Sequence, residues 1–389
     1  MLLCAARQAP PGWICGICLS RPVRTLFSSA TGADFAGNCE ESSAMFESKL
    51  MTTLLAISMV AVLAGSRPAL SQEIIILGSM DQTIGWLKER DWWGEEKRDT
   101  QLTVPHAMLA AYGSAWPSDA QAIPVADKKE LFYRMMLPLI MHANAMVTAE
   151  RANLESYKKQ LLAGGVLSAK SLDDLRELVP LLRIADEETA AELGDSRDKL
   201  LEVIDESLYR LDIIPAGLAL GQAAYESGYG TSRFAVKGNA LFGQWTYGDQ
   251  GMPPEQRRKG LGKYGIATFD WPFDSVRGYF LNLSSHPAYE DFRRLRARLR
   301  SEGKPLTSLV LADGLARYSE RGQEYVDALK AMIRVNHLEM ADNAIFREEP
   351  ISFIVGARDD AEAEKMRSEI VTLKESGELA QIIDSMKLE

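Results

Sequence analysis

At 389 residues the chain is too long for one small domain and suits one or two globular units with a targeting segment. Hydrophobic residues make up 46% and charged residues 25%, as in a packed soluble protein. The formal net charge of −10 argues against a general nucleic-acid binder, because phosphate contacts require an excess of Lys and Arg.

The first informative stretch is an apolar run, Leu50 to Gly65, preceded by Lys49 and followed by Ser66-Arg67-Pro68-Ala69-Leu70-Ser71. This charged-apolar-small order predicts a secretory signal peptide over residues 45–71, cut between Ser71 and Gln72. The run is shorter than the roughly 20 residues of a membrane span, so none is expected after cleavage. No Cys follows the apolar core, which argues against a lipid anchor. Met45 or Met51 is the expected start, leaving residues 1–44 as a leader or a misassigned beginning. All four cysteines, Cys4, Cys15, Cys18 and Cys39, lie there. The Cys15-Gly-Ile-Cys18 spacing has neither a second pair nor a βαβ context to make it a metal or redox site. The expected exported chain has no cysteine, needs no disulfide, and belongs in the periplasm or cell envelope.

Residues 72–200 read as a helical amino-terminal region. Leu131, Met135, Leu139 and Ile140 fall at helical spacing between Asp127 and Leu154, with Pro138 as a kink. Ser171 to Ile184 repeats the pattern through Leu172, Leu175, Val179 and Leu182, and Asp195 to Leu211 through Leu200, Ile204 and Leu208. Such amphipathic helices need a common core.

The next unit, residues 201–340, contains a different kind of helix. Pro215 opens a run of small residues, Ala216, Gly217, Ala219, Gly221, Ala223 and Ala224, which predicts a central helix approached closely by its neighbours. Gly228 is its expected left-handed end. Strands are predicted at Leu241–Tyr247 and Lys263–Phe269, joined by the polar stretch 248–262 into a long-reach hairpin. Helices follow at Asp274–Leu283, Glu290–Arg300, Leu306–Tyr318 and Glu324–Leu338. The tail, 341–389, reads as a short strand at Ile351 and one long helix.

Glu226 sits at the end of the small-residue helix. The negative end of the helix dipole and burial both disfavour its carboxylate, which is how a chain keeps a proton donor near neutral pH. A glycosidase needs such a donor at the leaving oxygen. A Glu that caps its own helix or pairs with Arg233 is the structural alternative.

The surrounding residues narrow the choice. Gln222-Ala223-Ala224-Tyr225-Glu226-Ser227-Gly228-Tyr229-Gly230-Thr231-Ser232 and Gly238-Asn239-Ala240-Leu241-Phe242-Gly243 resemble the glucosaminidase domain of glycoside hydrolase family 73, the mannosyl-glycoprotein endo-β-N-acetylglucosaminidase-like domain. Phe242-Gly243-Gln244-Trp245, Ser275-Val276, Asn282-Leu283, His286-Pro287-Ala288-Tyr289 and Tyr318-Ser319-Glu320-Arg321-Gly322 with Tyr325-Val326 are similar to its Bax-type branch. The likeness runs from about Lys128 to Leu338. It implies an α+β, mainly α, lysozyme-like fold with a β-hairpin lobe over a cleft. It implies hydrolysis of peptidoglycan beside N-acetylglucosamine, with Glu226 as acid and no cofactor. Tyr225, Asn239, Phe242, Gly243 and Trp245 are the implied substrate-binding residues.

The resemblance departs at the hairpin, where the family carries a second acid. Here Gly260-Leu-Gly-Lys-Tyr-Gly265 has none, and Asp249, Glu255, Asp270 and Asp274 flank it. Glu255 is the best-placed base or nucleophile. The alternative is attack by the substrate's own N-acetyl group, with Tyr318 as a polar partner of Glu226. The arginines of 293–300 are expected on a solvated face or against stem-peptide carboxylates. The tail lies beyond the likeness, so its deletion is expected to spare activity.

The competing enzyme is a muramidase or lytic transglycosylase, which shares the Glu-Ser helix end but continues with a Gly-Leu-Met-Gln type segment in place of Asn239-Ala-Leu-Phe-Gly243. A non-catalytic wall-binding protein is the alternative of another class. His106, His142, His286 and His337 are scattered and predict no metal set. Gly260-Leu-Gly262-Lys-Tyr-Gly265 matches the dinucleotide pattern only by letters, and no Gly-x-Ser-x-Gly elbow occurs.

Overall fold

The computed structural model describes residues 73–94, 101–111, 116–194, 196–247, 251–254, 263–269 and 271–375. The expected leader and signal peptide (1–71), Asp249, Glu255 and Asp270 lie outside the described residues. No described helix is long and apolar enough to cross a membrane.

The elements run β1 (Glu73–Leu77), α1 (Met80–Glu89), β2 (Thr103–Val104), β3 (Ala107–Ala111), α2 (Trp116–Ala122), α3 (Val125–Leu162), α4 (Ala169–Leu181), α5 (Glu187–Ala191), α6 (Arg197–Arg210), α7 (Ala216–Ser227) and α8 (Arg233–Gly238). They continue with β4 (Trp245–Tyr247), β5 (Tyr264–Ile266), α9 (Pro272–Ser285), α10 (Glu290–Ser301), α11 (Ser308–Leu311), α12 (Gln323–Val335), β6 (Ile345–Phe346), β7 (Ser352–Gly356) and α13 (Asp360–Glu375). The fold is α+β and mainly α, as the sequence implies.

The two ends of the described chain meet in one sheet. Its order is β1-β7-β3, all parallel, with Glu73 opposite Ser352 and Leu77 opposite Gly356. Parallel strands are covered on both faces and carry near-continuous apolar runs. Glu-Ile-Ile-Ile-Leu and Ser-Phe-Ile-Val-Gly fit that rule, and Phe353, Ile354 and Val355 are buried. α1 and α13 both pack on β1, and Arg367 Nη2 donates to Ile76 O at 2.9 Å. Residues 73–111 therefore hold strands where the sequence predicts helix alone. The tail's strand is the middle one, and its removal would unpair both neighbours.

α3 spans 38 residues, about 57 Å at 1.5 Å per residue. Pro138 lies inside it and has no N–H to give Arg134 O, four residues back. The indole of Trp92 donates to that carbonyl at 3.2 Å, and the Arg134 guanidinium lies 4.2 Å over the Trp92 ring. The proximal half of α3 enters the main core through Leu131, Phe132, Met136, Leu139 and Ile140. Its distal half joins a satellite core, where Leu154 and Leu161 meet Leu175 of α4 and Leu200 and Ile204 of α6.

The helix predicted over Leu306–Tyr318 is instead the single turn α11 followed by a 3-10 turn, Ala312–Leu315. Gly314 sets this approach, since a Cβ there would meet Phe292 Cα at 2.6 Å. The arginines of α10 also differ from expectation. Arg293 and Arg296 are buried. Arg293 Nη1 donates to Leu283 O and His286 O at the end of α9, at 3.0 and 2.9 Å. Arg296 donates to Arg210 O and Asp212 O after α6, at 2.6 and 2.9 Å. They satisfy helix-end carbonyls that have no partner within the helix. Arg300 grips the Asp212 carboxylate with both prongs, at 2.9 and 2.8 Å. Burial would raise the Asp212 pKa, but Arg300, Arg296 and Arg151 outweigh it and hold it below the usual range.

Phe353→Ala should cost about 3–5 kcal/mol, the usual range for emptying a large buried aromatic site. Deleting residues 351–389 should cost more, seen in urea denaturation as an earlier midpoint and in limited proteolysis as cutting within residues 73–111. An unchanged midpoint for both variants would show that β7 does not hold the sheet.

Candidate functional site

α7 is the centre of the site. Its N-terminus has no capping side chain of its own, because Pro215 precedes it. Asp342 serves instead, accepting from Gly217 N at 3.0 Å and from Ser308 N at 2.7 Å. A Cβ at Gly217 would sit 2.2 Å from Leu338 O, so only glycine lets the 338–343 turn lie this close. Gly228 ends the helix in the left-handed region at φ 59°, as the sequence predicts. Ser227 is buried and holds the following turn, donating to Ala223 O at 2.6 Å and accepting from Gly230 N at 2.8 Å. Glu226 is thereby fixed at the last turn of a rigid helix.

The loop after α8 brings Gly243 to this carboxyl. Asn239, at φ 48°, turns the chain and donates through Nδ2 to Phe269 O at 3.0 Å. Leu241 N donates to Ser275 Oγ at 3.1 Å, and Gln244 Nε2 to Ser275 O at 3.2 Å. Gly243 then takes φ 62°, and a Cβ built there would lie 3.6 Å from Glu226 Oε2. Gly243 thus sets its backbone beside that oxygen.

Beyond the loop, β4 and β5 pair antiparallel, Trp245 opposite Ile266 and Tyr247 opposite Tyr264. The pair forms the hairpin expected from the sequence, with shorter strands. Trp245 is half-buried and stacks on Tyr264 at 4.7 Å, while Tyr247 stays exposed.

Phe242 differs from the expected sugar-facing role. Its ring is buried, stacked at 4.1 Å and 10° on Tyr279, so it supports the loop from beneath. Tyr318 is buried too, and its hydroxyl donates to Phe242 O at 2.9 Å. The hydroxyl on Glu226 is that of Tyr325, which donates to Oε1 at 3.1 Å. Tyr318 and Tyr325 stack with ring centres 5.6 Å apart. Tyr225, half-buried, sets its ring edge against Tyr325 and accepts from Arg321 Nη1 at 2.8 Å. The sequence reading placed Gln222 and Tyr325 within the family motifs without giving either a role. Gln222 lies one helical turn before Glu226, a spacing that places both on one face.

Glu226 is half-buried. Burial pushes its pKa up to about 7, against the opposing hydrogen bond from Tyr325. Such a group can hold a proton at neutral pH and give it to an oxygen placed beside it. Among the described residues, no three His, Cys, Asp or Glu side chains gather as a metal set.

A carboxyl with a raised pKa, close to a loop that leads into a hairpin carrying aromatic rings, is the type of site that glycan hydrolases use. Residues 202–338 match the glucosaminidase family, described as mannosyl-glycoprotein endo-beta-N-acetylglucosaminidase. The chain is 31% identical over 231 residues to Protein bax of Escherichia coli (strain K12), an alignment covering 59% of this chain and 78% of that protein. It belongs to the glucosaminidase family, as a Bax-type glucosaminidase-domain protein. No solved structure matches it.

The raised Glu226 carboxyl carries a stability cost with a definite sign. The folded state keeps this proton up to about pH 7, whereas the unfolded chain releases it near 4.5. The folded state thus binds more protons in that window, and stability falls as pH rises from about 4.5 to about 7. The full effect is about 3 kcal/mol at one pKa unit per 1.36 kcal/mol. Glu226→Gln should lose this dependence and be the more stable protein at pH 8, as measured by urea denaturation at pH 5 and 8. Parallel profiles for the two proteins would count against the raised pKa.

Proposed function

We propose that this protein is a peptidoglycan hydrolase that cleaves the glycan strand beside N-acetylglucosamine, with Glu226 as general acid. The observation that carries the reading is the Glu226 carboxyl at the end of α7, pushed by burial up to about 7, with Oε2 beside Gly243. Glu226 gives its proton to the glycosidic oxygen as that bond breaks. Trp245 offers an apolar face to a sugar ring, and Asn239, Gly243 and Tyr225 complete the surface around the acid. Membership of the glucosaminidase family supports a glycan substrate. The segment at 45–71 supports export to the periplasm or cell envelope, where that substrate lies.

The positive charge that develops on the sugar needs a partner. Glu255 fills that role as base or nucleophile, or the substrate's N-acetyl group does so by cyclising onto the anomeric carbon. The described half of the hairpin supplies aromatic rings rather than a carboxylate at Trp245, Tyr247 and Tyr264. The two routes differ in how they respond to Glu255→Gln.

Activity on purified peptidoglycan, read by zymography and by release of soluble fragments, tests the proposal. Glu226→Gln keeps shape and hydrogen bonding without the acid proton, so activity should fall by about 10²–10⁴-fold. Wild-type activity should decline as pH rises through about 7, where Glu226 loses its proton. Glu255→Gln should be comparably severe if Glu255 is base or nucleophile. It should be mild, with binding of a thiazoline-type inhibitor, if the N-acetyl group attacks. Reducing N-acetylglucosamine ends are the expected product, whereas anhydro sugars would mark a lytic transglycosylase. Near-normal turnover by Glu226→Gln defeats the proposal.

A further inference from the structure

Beneath Glu226 lies a chain of three side chains that the acid role alone does not require. Tyr279 OH donates to Gln222 Oε1 at 2.6 Å, Gln222 Nε2 donates to Tyr325 OH at 3.0 Å, and Tyr325 OH donates to Glu226 Oε1 at 3.1 Å. Gln222, Tyr279 and Tyr325 are fully buried. They come from three elements, α7, α9 and α12. Tyr279 is held by its stack on Phe242, and Tyr325 by its stack on Tyr318.

The chain has a direction. The 2.6 Å contact is an O–H···O length and the 3.0 Å contact an N–H···O length, so the amide oxygen faces Tyr279 and the amide nitrogen faces Tyr325. Burial drives the Tyr279 pKa well above its ordinary value, so this phenol keeps its proton and remains a donor. An amide N–H now occupies Tyr325 as an acceptor. A phenol has one proton to give, and that of Tyr325 goes to Glu226 Oε1. A carbonyl oxygen accepts such a bond better than a hydroxyl oxygen does, so the acid's own proton is favoured on Oε2, the oxygen beside Gly243.

We infer that Gln222 and Tyr279 are positioning residues, which act through Tyr325 to direct the proton of Glu226 onto Oε2, facing the substrate. The inference rests on Glu226 as the general acid. It adds that the acid has a built-in polarity, set by groups that never touch the glycan. If the amide turned over, its oxygen would accept from Tyr325. The carboxylate left after proton transfer would then have no donor, and the proton of the neutral acid would sit on Oε1. Tyr279 is what prevents the turn, because only the amide oxygen can accept its proton.

The groups facing Glu226 across this chain are phenols. Tyr325 touches it and Tyr279 lies two hydrogen bonds behind, while Arg321 acts on Tyr225 beside them. A shift in the basic limb of the pH profile therefore reports on Glu226.

The test is a double-mutant cycle on the full protein with Tyr279→Phe and Tyr325→Phe, assayed on soluble glycan fragments of peptidoglycan. Tyr279→Phe keeps the ring stacked on Phe242 and removes only the hydroxyl. It should lower kcat roughly tenfold with KM within about twofold, since general acid catalysis is what weakens. It should also move the basic limb upward by about 0.5–1 pH unit, because the carboxylate loses part of its donor. Tyr325→Phe should move the limb at least as far, and adding Tyr279→Phe to it should move it no further. A limb unmoved in Tyr279→Phe overturns the inference, as does a full additional shift in the double variant, which would mean that Tyr279 acts without Tyr325. A carbon-13 titration of the Glu226 carboxyl in each variant reads the same shift without turnover. Normal turnover by Glu226→Gln would instead sink the acid assignment itself, a result separable from either of these.

Discussion

The site depends on how closely the protein can pack around α7. A helix of ordinary side chains keeps its neighbours 8–10 Å from its axis. α7 carries only Ala, Gly and Leu from Ala216 to Gly221, and a backbone carbonyl, Leu338 O, comes within reach of the position a Cβ would take at Gly217. Elements distant in sequence thus surround one short helix. α12 supplies Tyr325, α9 supplies Tyr279, and the 240–244 loop supplies Gly243, all converging on its final turns. Enclosure of that kind removes water from the Glu226 carboxyl, and removal of water keeps the proton there.

Much of this was legible in the sequence because it rests on local chemistry. Small residues, an opening proline and a closing glycine announce α7 without help from the rest of the chain. The hairpin and the amphipathic helices likewise follow from periodicity, and the residues around Glu226 announce the family. Less legible were the features that depend on distant partners. β3, Ala-Met-Leu-Ala-Ala, has the composition of a helix and becomes a strand because β7 pairs with it. The arginines of α10 look like a solvated stripe, yet two of them turn inward to carbonyls left open at the ends of α6 and α9. Phe242 and Tyr318 sit in motifs that suggest contact with substrate and with Glu226 respectively, and their burial goes with the stacks formed with Tyr279 and Tyr325.

The electrostatic design separates two kinds of buried acid. Asp212 is ionised and surrounded by guanidinium groups, so burial is overcome by charge. Glu226 receives one phenol hydrogen bond among the described residues, which is too little to offset burial, so burial prevails. The same side-chain chemistry therefore yields a structural clamp at one place and a proton store at the other. What differs is the number of donors facing the oxygens.

β7 also bears on the order of events during folding. Glu73 and Ser352 pair across nearly three hundred residues of intervening chain, so the register of this sheet cannot begin to form locally. A polypeptide emerging amino-terminus first would hold β1 and β3 as two strands with an empty lane between them until β7 arrived. During that interval their backbone groups and apolar faces are available to any other chain, the hazard typical of open strand edges. Closure of the sheet is thus a late step that seals the molecule, and the period before it is when this protein would most need protection from its own kind.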